Sequence, residues 1–226
     1  MAIAENLQSI ENGIIEACEK SGRSRDQIQL VAVSKTKPLE LIQEALTAGQ
    51  LHFGENKVQE LTEKQPQLPE DVQWHLIGHL QSNKIRKALP CCDLLHTLDS
   101  VKLANSVDRI SGELNRITRC LVQVNISADP AKHGFMESET ATAIEAVLSL
   151  PNVEVTGLMT IPEFNPDPEA TRVHFSKLRN LRDQLATQFS TPLPELSMGM
   201  SHDYHVAIEE GATLVRVGSS IFGARG

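Results

Sequence analysis

The sequence predicts a single (β/α)8 TIM barrel, and three observations support this fold class. Short apolar runs alternate with stretches of helical periodicity eight times, which indicates parallel strands joined by right-handed crossovers. No long interruption divides the eight units, so a closed barrel is favoured over an open doubly wound sheet. The chain has 226 residues, enough for one such barrel of typically about 250 residues but not for a second large domain. We therefore expect one domain over residues 1–226.

The individual elements follow from local patterns in chain order. An amphipathic helix is predicted over residues 3–20 because Ile3, Leu7, Ile10 and Ile14 share one face. The eight predicted strands cover residues 29–34, 51–54, 73–77, 94–98, 120–126, 153–159, 195–198 and 213–217.

Three of the helices that follow these strands carry recognisable start signals. Pro38 and the pair Asp99-Ser100 each mark the beginning of a helix, and Pro168 opens a long one. The inward face of that long helix is predicted to hold Val173, Leu178, Leu181, Leu185 and Phe189.

Composition and charge exclude several classes of protein. The formal net charge is −8 and only 4% of residues are aromatic, which argues against nucleic acid as a partner. No stretch approaches the roughly 20 apolar residues of a membrane span, and the N-terminal residues do not follow the pattern of a signal peptide. The four cysteines show neither a CxxC pattern nor even spacing, so we expect reduced thiols in a cytoplasmic protein.

A lysine at the end of the first predicted strand is the first candidate for chemistry. The apolar run from Leu30 to Val33 delivers Lys35 to the carboxyl end of the strand, where the sites of this fold lie. Burial of the lysine stem disfavours the charged form, which makes the neutral amine accessible for imine formation with a carbonyl compound. The alternative is a solvated lysine at a strand edge between Ser34 and Thr36.

The loops after the seventh and eighth predicted strands suggest an anion site. Gly199 permits close approach of the backbone, and Ser201 is predicted to cap the following helix. Gly218 and Ser219 repeat this glycine and hydroxyl pattern before a short helical stretch. These two loops form the usual phosphate site of a (β/α)8 barrel, although the same residues could serve only as turns and caps.

Arg216 lies between two valines on the eighth predicted strand, where a buried guanidinium requires a partner or a ligand. An ion pair inside the barrel is one explanation. Together with an imine-forming lysine and a phosphate site, however, an arginine here suggests pyridoxal 5′-phosphate (PLP), with the arginine facing the pyridine nitrogen.

The chain resembles, along nearly its whole length, the pyridoxal phosphate homeostasis protein family. The resemblance rests on seven ordered segments: AVSKTKP, FGENKVQE, WHLIGHLQSNK, VNIS, GLMTIP, SMGMSHDY and GATLVRVGSSIFGAR. It implies a barrel of the alanine racemase N-terminal domain type that holds PLP as an imine on Lys35. It also implies a role in the balance of vitamin B6 and amino-acid pools without known catalysis, with PLP-dependent apoenzymes as possible acceptors and a monomer or weak dimer as the oligomeric state.

Positions of the cofactor-binding residues are carried over from the same resemblance. They place Asn56 near the cofactor, Ser201, Gly218 and Ser219 at the phosphate with Met200 beside them, and Arg216 at the ring nitrogen. His79 follows the third predicted strand and could reach the site, or it could bond only locally. Lys132 matches a lysine that takes up cofactor transiently in some relatives, but a solvated loop lysine is the simpler interpretation.

A metal site is not expected from the sequence. His202 and His205 are three residues apart on a predicted helix, but no set of carboxylate ligands accompanies them, and His52, His75 and His96 fall within predicted strands.

Two enzymatic functions compete with a PLP carrier. A racemase of the alanine racemase type needs a second base facing Lys35 across the cofactor ring. In enzymes of that type a tyrosine from an additional C-terminal domain supplies this base. The single tyrosine here, Tyr204, is predicted in the helix after the phosphate loop, so we expect the second base to be missing. An aldolase using Lys35 on a phosphorylated sugar would share the lysine and the phosphate site, but it gives no role to Arg216.

Overall fold

A computed structural model describes residues 2–223 of the chain. The first residue and the last three residues of the predicted domain lie outside the described residues. The described strands are β1 (Gln29–Val33), β2 (His52–Glu55), β3 (Gln73–Leu76), β4 (Leu94–Leu98), β5 (Thr118–Asn125), β6 (Phe135–Met136), β7 (Val153–Met159), β8 (Glu195–Met200) and β9 (Leu214–Val217).

Eight of these strands form a closed parallel barrel, which confirms the predicted fold class. Their order is β4-β3-β2-β1-β9-β8-β7-β5, and a further pairing of β4 with β5 closes the cylinder. Every pairing is parallel, so the carboxyl ends of all eight strands meet at one mouth of the barrel. The two-residue strand β6 pairs with β5 at its carboxyl end and was not predicted.

Helices surround the barrel and connect successive strands. Those described are α1 (Ile3–Ser21), α2 (Leu39–Thr47), α3 (Val58–Lys64), α4 (Ile85–Ala88), α5 (Val101–Glu113), α6 (Glu137–Leu148), α7 (Arg172–Phe189), α8 (Tyr204–Glu209) and α9 (Ser219–Phe222). Within residues 2–223, no helix has both the length and the apolar character required to cross a lipid bilayer.

The structure confirms the predicted cap of α5 and corrects two predictions about α7. Ser100 caps α5, since its hydroxyl accepts a hydrogen bond from Leu103 N at 3.2 Å. Pro168 opens a short 3₁₀ turn before α7 rather than α7 itself. Val173 was predicted to face inward but is 53% exposed, because its position in the first turn of α7 points away from the sheet.

The core has two parts with different composition. The larger apolar cluster lies between the outer face of the barrel and the helices, and includes Ile14, Phe53, Trp74 and Phe175. A smaller cluster fills part of the barrel interior and comprises Val31, Leu94, Leu121, Met159 and Leu214. The rest of the interior is polar, with buried histidine, serine and arginine side chains below the mouth.

Candidate cofactor-binding site

A cavity of about 300 Å³ opens at the carboxyl-terminal mouth of the barrel. It is lined by seven of the eight predicted site residues, namely Lys35, Asn56, Met200, Ser201, Arg216, Gly218 and Ser219. The remaining lining residues are Val33, Lys37, Ile77, Ile161, Phe164, His202 and Gly223. Residues that are far apart in the sequence therefore converge on one concave site, because they lie near or just after the carboxyl ends of parallel strands.

The backbone around Lys35 is held by a turn whose two flanking residues are anchored. Ser34 is fully buried, and its hydroxyl donates to Glu55 Oε1 at 2.7 Å. Thr36 has a φ of 61°, a left-handed conformation uncommon for a threonine, and its N–H donates to Glu60 Oε2 at 2.6 Å. Conformations of this kind persist where surrounding contacts enforce them, and here they direct Lys35 into the cavity.

The anchoring network below Lys35 is centred on a buried ion pair. Lys64 Nζ donates to Glu55 Oε1 at 2.7 Å and to the Ser34 carbonyl oxygen at 2.9 Å. Burial raises the pKa of Glu55 in spite of its hydrogen bonds from Lys64 and Ser34. Sequence reasoning missed this pair. A glutamate directly after a buried glycine in β2 was the available signal, but its partner could not be identified without the fold.

Arg216 is a buried cation at the floor of the cavity, with 3% of its surface exposed. Its guanidinium donates to Ser197 Oγ and, at 2.9 Å, to the Thr160 carbonyl oxygen. Burial lowers the pKa of Arg216 to about 10, against the opposing influence of Asp203, so the group stays charged at neutral pH. None of the ion pairs found among residues 2–223 includes Arg216. A buried cation with neutral partners that also lines a cavity is suited to a ligand acceptor.

Three histidines continue the hydrogen-bond path from Arg216 through the barrel, and we call them the histidine chain. His96 Nδ1 lies 2.8 Å from Ser197 Oγ, His75 Nδ1 lies 2.8 Å from His96 Nε2, and His52 Nδ1 lies 3.0 Å from His75 Nε2. Arginine can only donate, so Ser197 Oγ accepts from Arg216 and has its own proton for His96 Nδ1. This assigns the proton of each imidazole to Nε2, with every donor in the chain pointing away from the cavity.

The histidine chain is neutral, and its members His75 and His96 are buried whereas His52 is half-buried. Burial, followed by its charged neighbours, lowers the pKa of His75 to about 3 and lowers the pKa of His96 well below its usual value. Arg216 is therefore the cation that the barrel interior presents to the cavity, and the imidazoles fix its serine partner without adding charge.

Met200, Ser201 and Gly218 form the wall that the sequence predicted for phosphate. Ser201 Oγ accepts a hydrogen bond from Gly218 N at 3.2 Å, which joins the loops after β8 and β9. Gly199 has a φ of 90°, and a Cβ there would lie 2.5 Å from Ala207 Cβ, so glycine is required for this bend. The predicted helix cap was wrong: Asp203, not Ser201, precedes α8, and its carboxylate accepts from Met200 N at 2.7 Å.

The loop after β7 supplies a wall of the cavity that sequence reasoning missed. Ile161 and Phe164 line the cavity from this loop, and the Phe164 ring lies 5.4 Å from the ring of His202. His202 Nε2 lies 2.9 Å from the Pro166 carbonyl oxygen, which joins this loop to the loop after β8. Lys132 Nζ donates to the Ile161 carbonyl oxygen at 3.1 Å, so Lys132 lies behind this wall.

His79 and Tyr204 lie outside the cavity lining. His79 Nδ1 is 2.7 Å from Asp99 Oδ2 at a neighbouring part of the rim, so the structure does not bring His79 together with the other predicted site residues. Tyr204 packs in the helical layer against α1, where a Cβ added to Gly13 would lie 2.1 Å from its hydroxyl oxygen. The tyrosine hydroxyl is thus directed toward α1.

Comparison with known proteins identifies the class of this barrel. Residues 4–226 match the family model described as "Alanine racemase, N-terminal domain", which covers nearly the whole chain. The chain therefore belongs to the class of barrels defined by that domain.

Full-length relatives give the particular family. The chain is similar to the pyridoxal phosphate homeostasis protein of Aquifex aeolicus, with 42% identity over 100% of this chain and 99% of that protein. It is 41% identical to the human protein of the same name, over 97% of this chain and 85% of the human protein. The structure of PipY of Synechococcus elongatus with PLP bound matches with a TM-score of 0.86 and 40% identity, over 98% of this chain and 100% of PipY. The chain belongs to the pyridoxal phosphate homeostasis protein family.

Proposed function

We propose that this protein binds PLP as an imine on Lys35 and acts as an intracellular carrier of the cofactor in vitamin B6 and amino-acid homeostasis. One observation supports the proposal above all others: Lys35 and the buried cation Arg216 line the same cavity, together with the Ser201 and Gly218 wall. PLP has an aldehyde, a pyridine nitrogen and a phosphate, and the cavity offers a suitable group to each. The PLP-bound state of the similar protein PipY also supports it.

Each cavity residue has a distinct role in this proposal. The Lys35 amine condenses with the aldehyde and releases water. The Arg216 guanidinium donates toward the pyridine nitrogen and keeps that nitrogen unprotonated, which weakens the electron-withdrawing power that PLP supplies when bound. Ser201, Gly218 and Ser219 hold the phosphate beside Met200, and Asn56 lies near the ring. We do not include His79 in this set, since it lies outside the lining.

A carrier is favoured over a racemase by the position of Tyr204. Racemisation requires a base on each face of the substrate, and the resemblance to alanine racemase implies a tyrosine as the second base. Here the hydroxyl of the chain's one tyrosine packs toward Gly13 of α1 and is absent from the cavity lining. The names of the similar proteins, which describe homeostasis rather than turnover, also support a non-catalytic role.

The proposal extends to the setting in which the carrier works. We place it in the cytoplasm as a monomer or weak dimer that delivers PLP to PLP-dependent apoenzymes. The free state of all four cysteines supports a reducing compartment. Transfer to an apoenzyme requires that the imine be reversible, which Arg216 and a solvent-open cavity both permit.

The decisive experiment is the absorption spectrum of the purified protein loaded with PLP, followed by borohydride reduction and peptide mass mapping. We expect an imine band that bleaches on reduction and a pyridoxyl mass on Lys35. Lys35→Ala should remove the band and leave the protein folded, because an amine lost at the barrel mouth creates no core cavity. Lys37→Ala is the matched control, since Lys37 lines the same cavity and bonds to Phe222 O and Gly223 O.

Arg216→Gln tests the other end of the cofactor. We expect a shifted imine band and weaker retention of PLP, because the neutral amide no longer presents a cation to the ring. An unchanged spectrum and affinity would remove Arg216 from the site. Pyridoxyl label on Lys37 instead of Lys35, or repeated turnover of an added amino acid to racemised product, would overturn the imine assignment or the carrier role respectively.

A further inference from the structure

Three side chains outside the cofactor cavity meet at the same end of the barrel, and we call them the rim cluster: His79, Asp99 and His133. They follow β3, β4 and β5, which are neighbours in the barrel. Asp99 Oδ2 lies 2.7 Å from His79 Nδ1 and 3.8 Å from His133 Nδ1. One ligand atom from each residue lies within 4.8 Å of the other two. The two imidazole rings are stacked, with centroids 4.3 Å apart and an interplanar angle of 13°.

The backbone at or beside each of the two histidines is anchored by a side chain of a barrel strand. Thr97 Oγ1 donates to the carbonyl oxygen of Gly78, next to His79, at 2.8 Å. Gln123 Nε2 donates to the carbonyl oxygen of His133 at 3.1 Å. Both anchoring residues are buried, so the two imidazoles project from supported positions.

The arrangement of the rim cluster suits a bound metal ion better than hydrogen bonding between the three side chains. One carboxylate oxygen faces two ring nitrogens, but only the His79 nitrogen is within hydrogen-bond distance of it. The Asp99 side chain is 8% exposed, whereas those of His79 and His133 are 43% and 62% exposed. A nearly buried carboxylate thus lies beneath two imidazoles that solvent can reach. A metal ion between the three groups would have all of them as ligands.

We propose that the rim cluster binds one divalent transition-metal ion of the zinc class. Bonds of about 2.0–2.1 Å to nitrogen place tetrahedral ligands about 3.3 Å apart. The two distances from Asp99 Oδ2, 2.7 Å and 3.8 Å, lie on either side of this value. Metal binding requires the two exposed rings to rotate out of their stacked arrangement, so that both nitrogens point at one ion. Two imidazoles and one carboxylate favour Zn²⁺, Co²⁺ or Ni²⁺ over Mg²⁺ and Ca²⁺, which prefer oxygen ligands alone. Three protein ligands leave a coordination position open to solvent, as in zinc sites that bind water or substrate.

The site is separate from the cofactor cavity but shares a wall with it. Ile77 lines the cavity two residues before His79, and a Cβ on Gly78 would lie 2.2 Å from the Asn56 carbonyl oxygen. None of the three residues of the rim cluster lines the cavity, so metal binding does not depend on the proposed PLP function and the two can be measured independently.

The test is a titration of the full-length, chelator-treated and cofactor-free protein with Co²⁺, followed by visible ligand-field absorption and by competition with Zn²⁺. We expect one Co²⁺ per chain, intense bands of a four- or five-coordinate ion, and displacement by Zn²⁺ but not by Mg²⁺. His133→Asn and Asp99→Asn should each weaken binding by about 100-fold or more, a loss at the upper end of that for supporting residues.

His205→Asn is the matched control, because it removes an imidazole on α8 outside the rim cluster. Its Co²⁺ affinity should equal that of the unmodified chain. Equal losses in the control and in His133→Asn, or only the weak spectrum of hydrated Co²⁺, would overturn the proposal. If Asp99→Asn fails to fold, the exposed His133 variant still decides the question. The PLP imine band, measured separately in His133→Asn, should be unchanged and so distinguishes loss of metal from loss of the cofactor site.

Discussion

The histidine chain and the rim cluster show how one barrel uses the same residue type in two opposite ways. Strands β3 and β4 contribute to both groups, through His75 and His96 inside the barrel and through His79 and Asp99 at its mouth. Inside the barrel, burial keeps His75 and His96 neutral, and both ring nitrogens of each lie within hydrogen-bond distance of a partner. At the rim, the rings remain exposed and one ring nitrogen lies beyond hydrogen-bond distance of the carboxylate. His79 lies four residues after His75 and beyond the end of β3, and this move from the interior to the mouth changes a structural histidine into a potential ligand.

The geometry of the histidine chain follows from the stagger of the barrel strands. His52 is paired with Gln73, two residues before His75, and His75 is paired with Leu94, two residues before His96. Each histidine is therefore displaced by two residues toward the carboxyl end of the next strand. Because side chains alternate with a period of two, this displacement keeps all three on the interior face. The histidine chain consequently runs toward the carboxyl ends of the strands, where Arg216 and the cavity lie.

The largest expected effect is a difference in unfolding free energy between a variant of the histidine chain and a variant of the rim cluster. His96→Leu leaves the His75 Nδ1 acceptor and the Ser197 hydroxyl proton without their partners in a buried site. Each unsatisfied group destabilises by about 1–3 kcal/mol, so the free energy of unfolding should fall by roughly 2–6 kcal/mol. His79→Leu at the rim removes one exposed bond and should change it by less than about 1 kcal/mol. Urea denaturation of the two cofactor-free variants measures both values, and similar losses would contradict the distinction between interior and rim.

The second prediction concerns acid, which should destabilise the barrel through the interior histidines. The folded pKa of His75, about 3, lies below the unfolded value of about 6.5. The unfolded chain then binds the extra proton between these values, so stability is complete above the unfolded pKa and is lost as the pH falls toward the folded pKa. His75 alone should account for about 1.3 kcal/mol of lost stability at roughly pH 5.5 relative to roughly pH 7.

His75→Gln is the control for this pH dependence, because glutamine retains a donor and an acceptor but does not titrate in this range. The difference in unfolding free energy between the unmodified chain and this variant should narrow by that amount on acidification. A constant difference from neutral pH to roughly pH 5.5 would show that His75 is protonated as readily in the folded state as in the unfolded chain.

Much of the fold could be predicted from the sequence because parallel barrel strands are buried on both faces. Their apolar runs are short and continuous, as in the segment before Lys35, and each stands between helical stretches. Strand ends then identified Lys35, Ser201, Gly218 and Ser219, and a charged residue within a strand identified Arg216. Asn56 and Met200 came from the family resemblance, and all seven residues line one cavity. Strand β6 was not predicted because two residues are too few to show a periodic pattern. Val173 was misplaced because it lies five residues before Leu178 in α7, which puts it on a different face of the helix from Leu178.

Side-chain contacts between different strands could not be predicted from the sequence, because they depend on strand register and on closure of the barrel. His52, His75 and His96 were recognised as strand residues, but nothing in the sequence shows that their rings touch. The same holds for Glu55 and Lys64 beneath Lys35. In the loop after β5, the sequence analysis considered Lys132 as a transient cofactor site and did not consider its neighbour His133. The structure places His133 beside His79 and Asp99.

The smallest expected effect tests whether the rim cluster depends on its support. Thr97→Val removes the hydrogen bond to the Gly78 carbonyl oxygen while retaining the shape of the side chain. We expect a loss of about 0.5–1.5 kcal/mol in unfolding free energy and a roughly 10-fold weaker Co²⁺ affinity. Thr160→Val is the matched control, since Thr160 Oγ1 makes the same kind of bond, 2.8 Å to the Val124 carbonyl oxygen, between β5 and the end of β7. It should show a similar loss of stability with no change in metal affinity. If both variants weaken Co²⁺ binding equally, the effect reflects general loosening of the barrel mouth and not the orientation of His79.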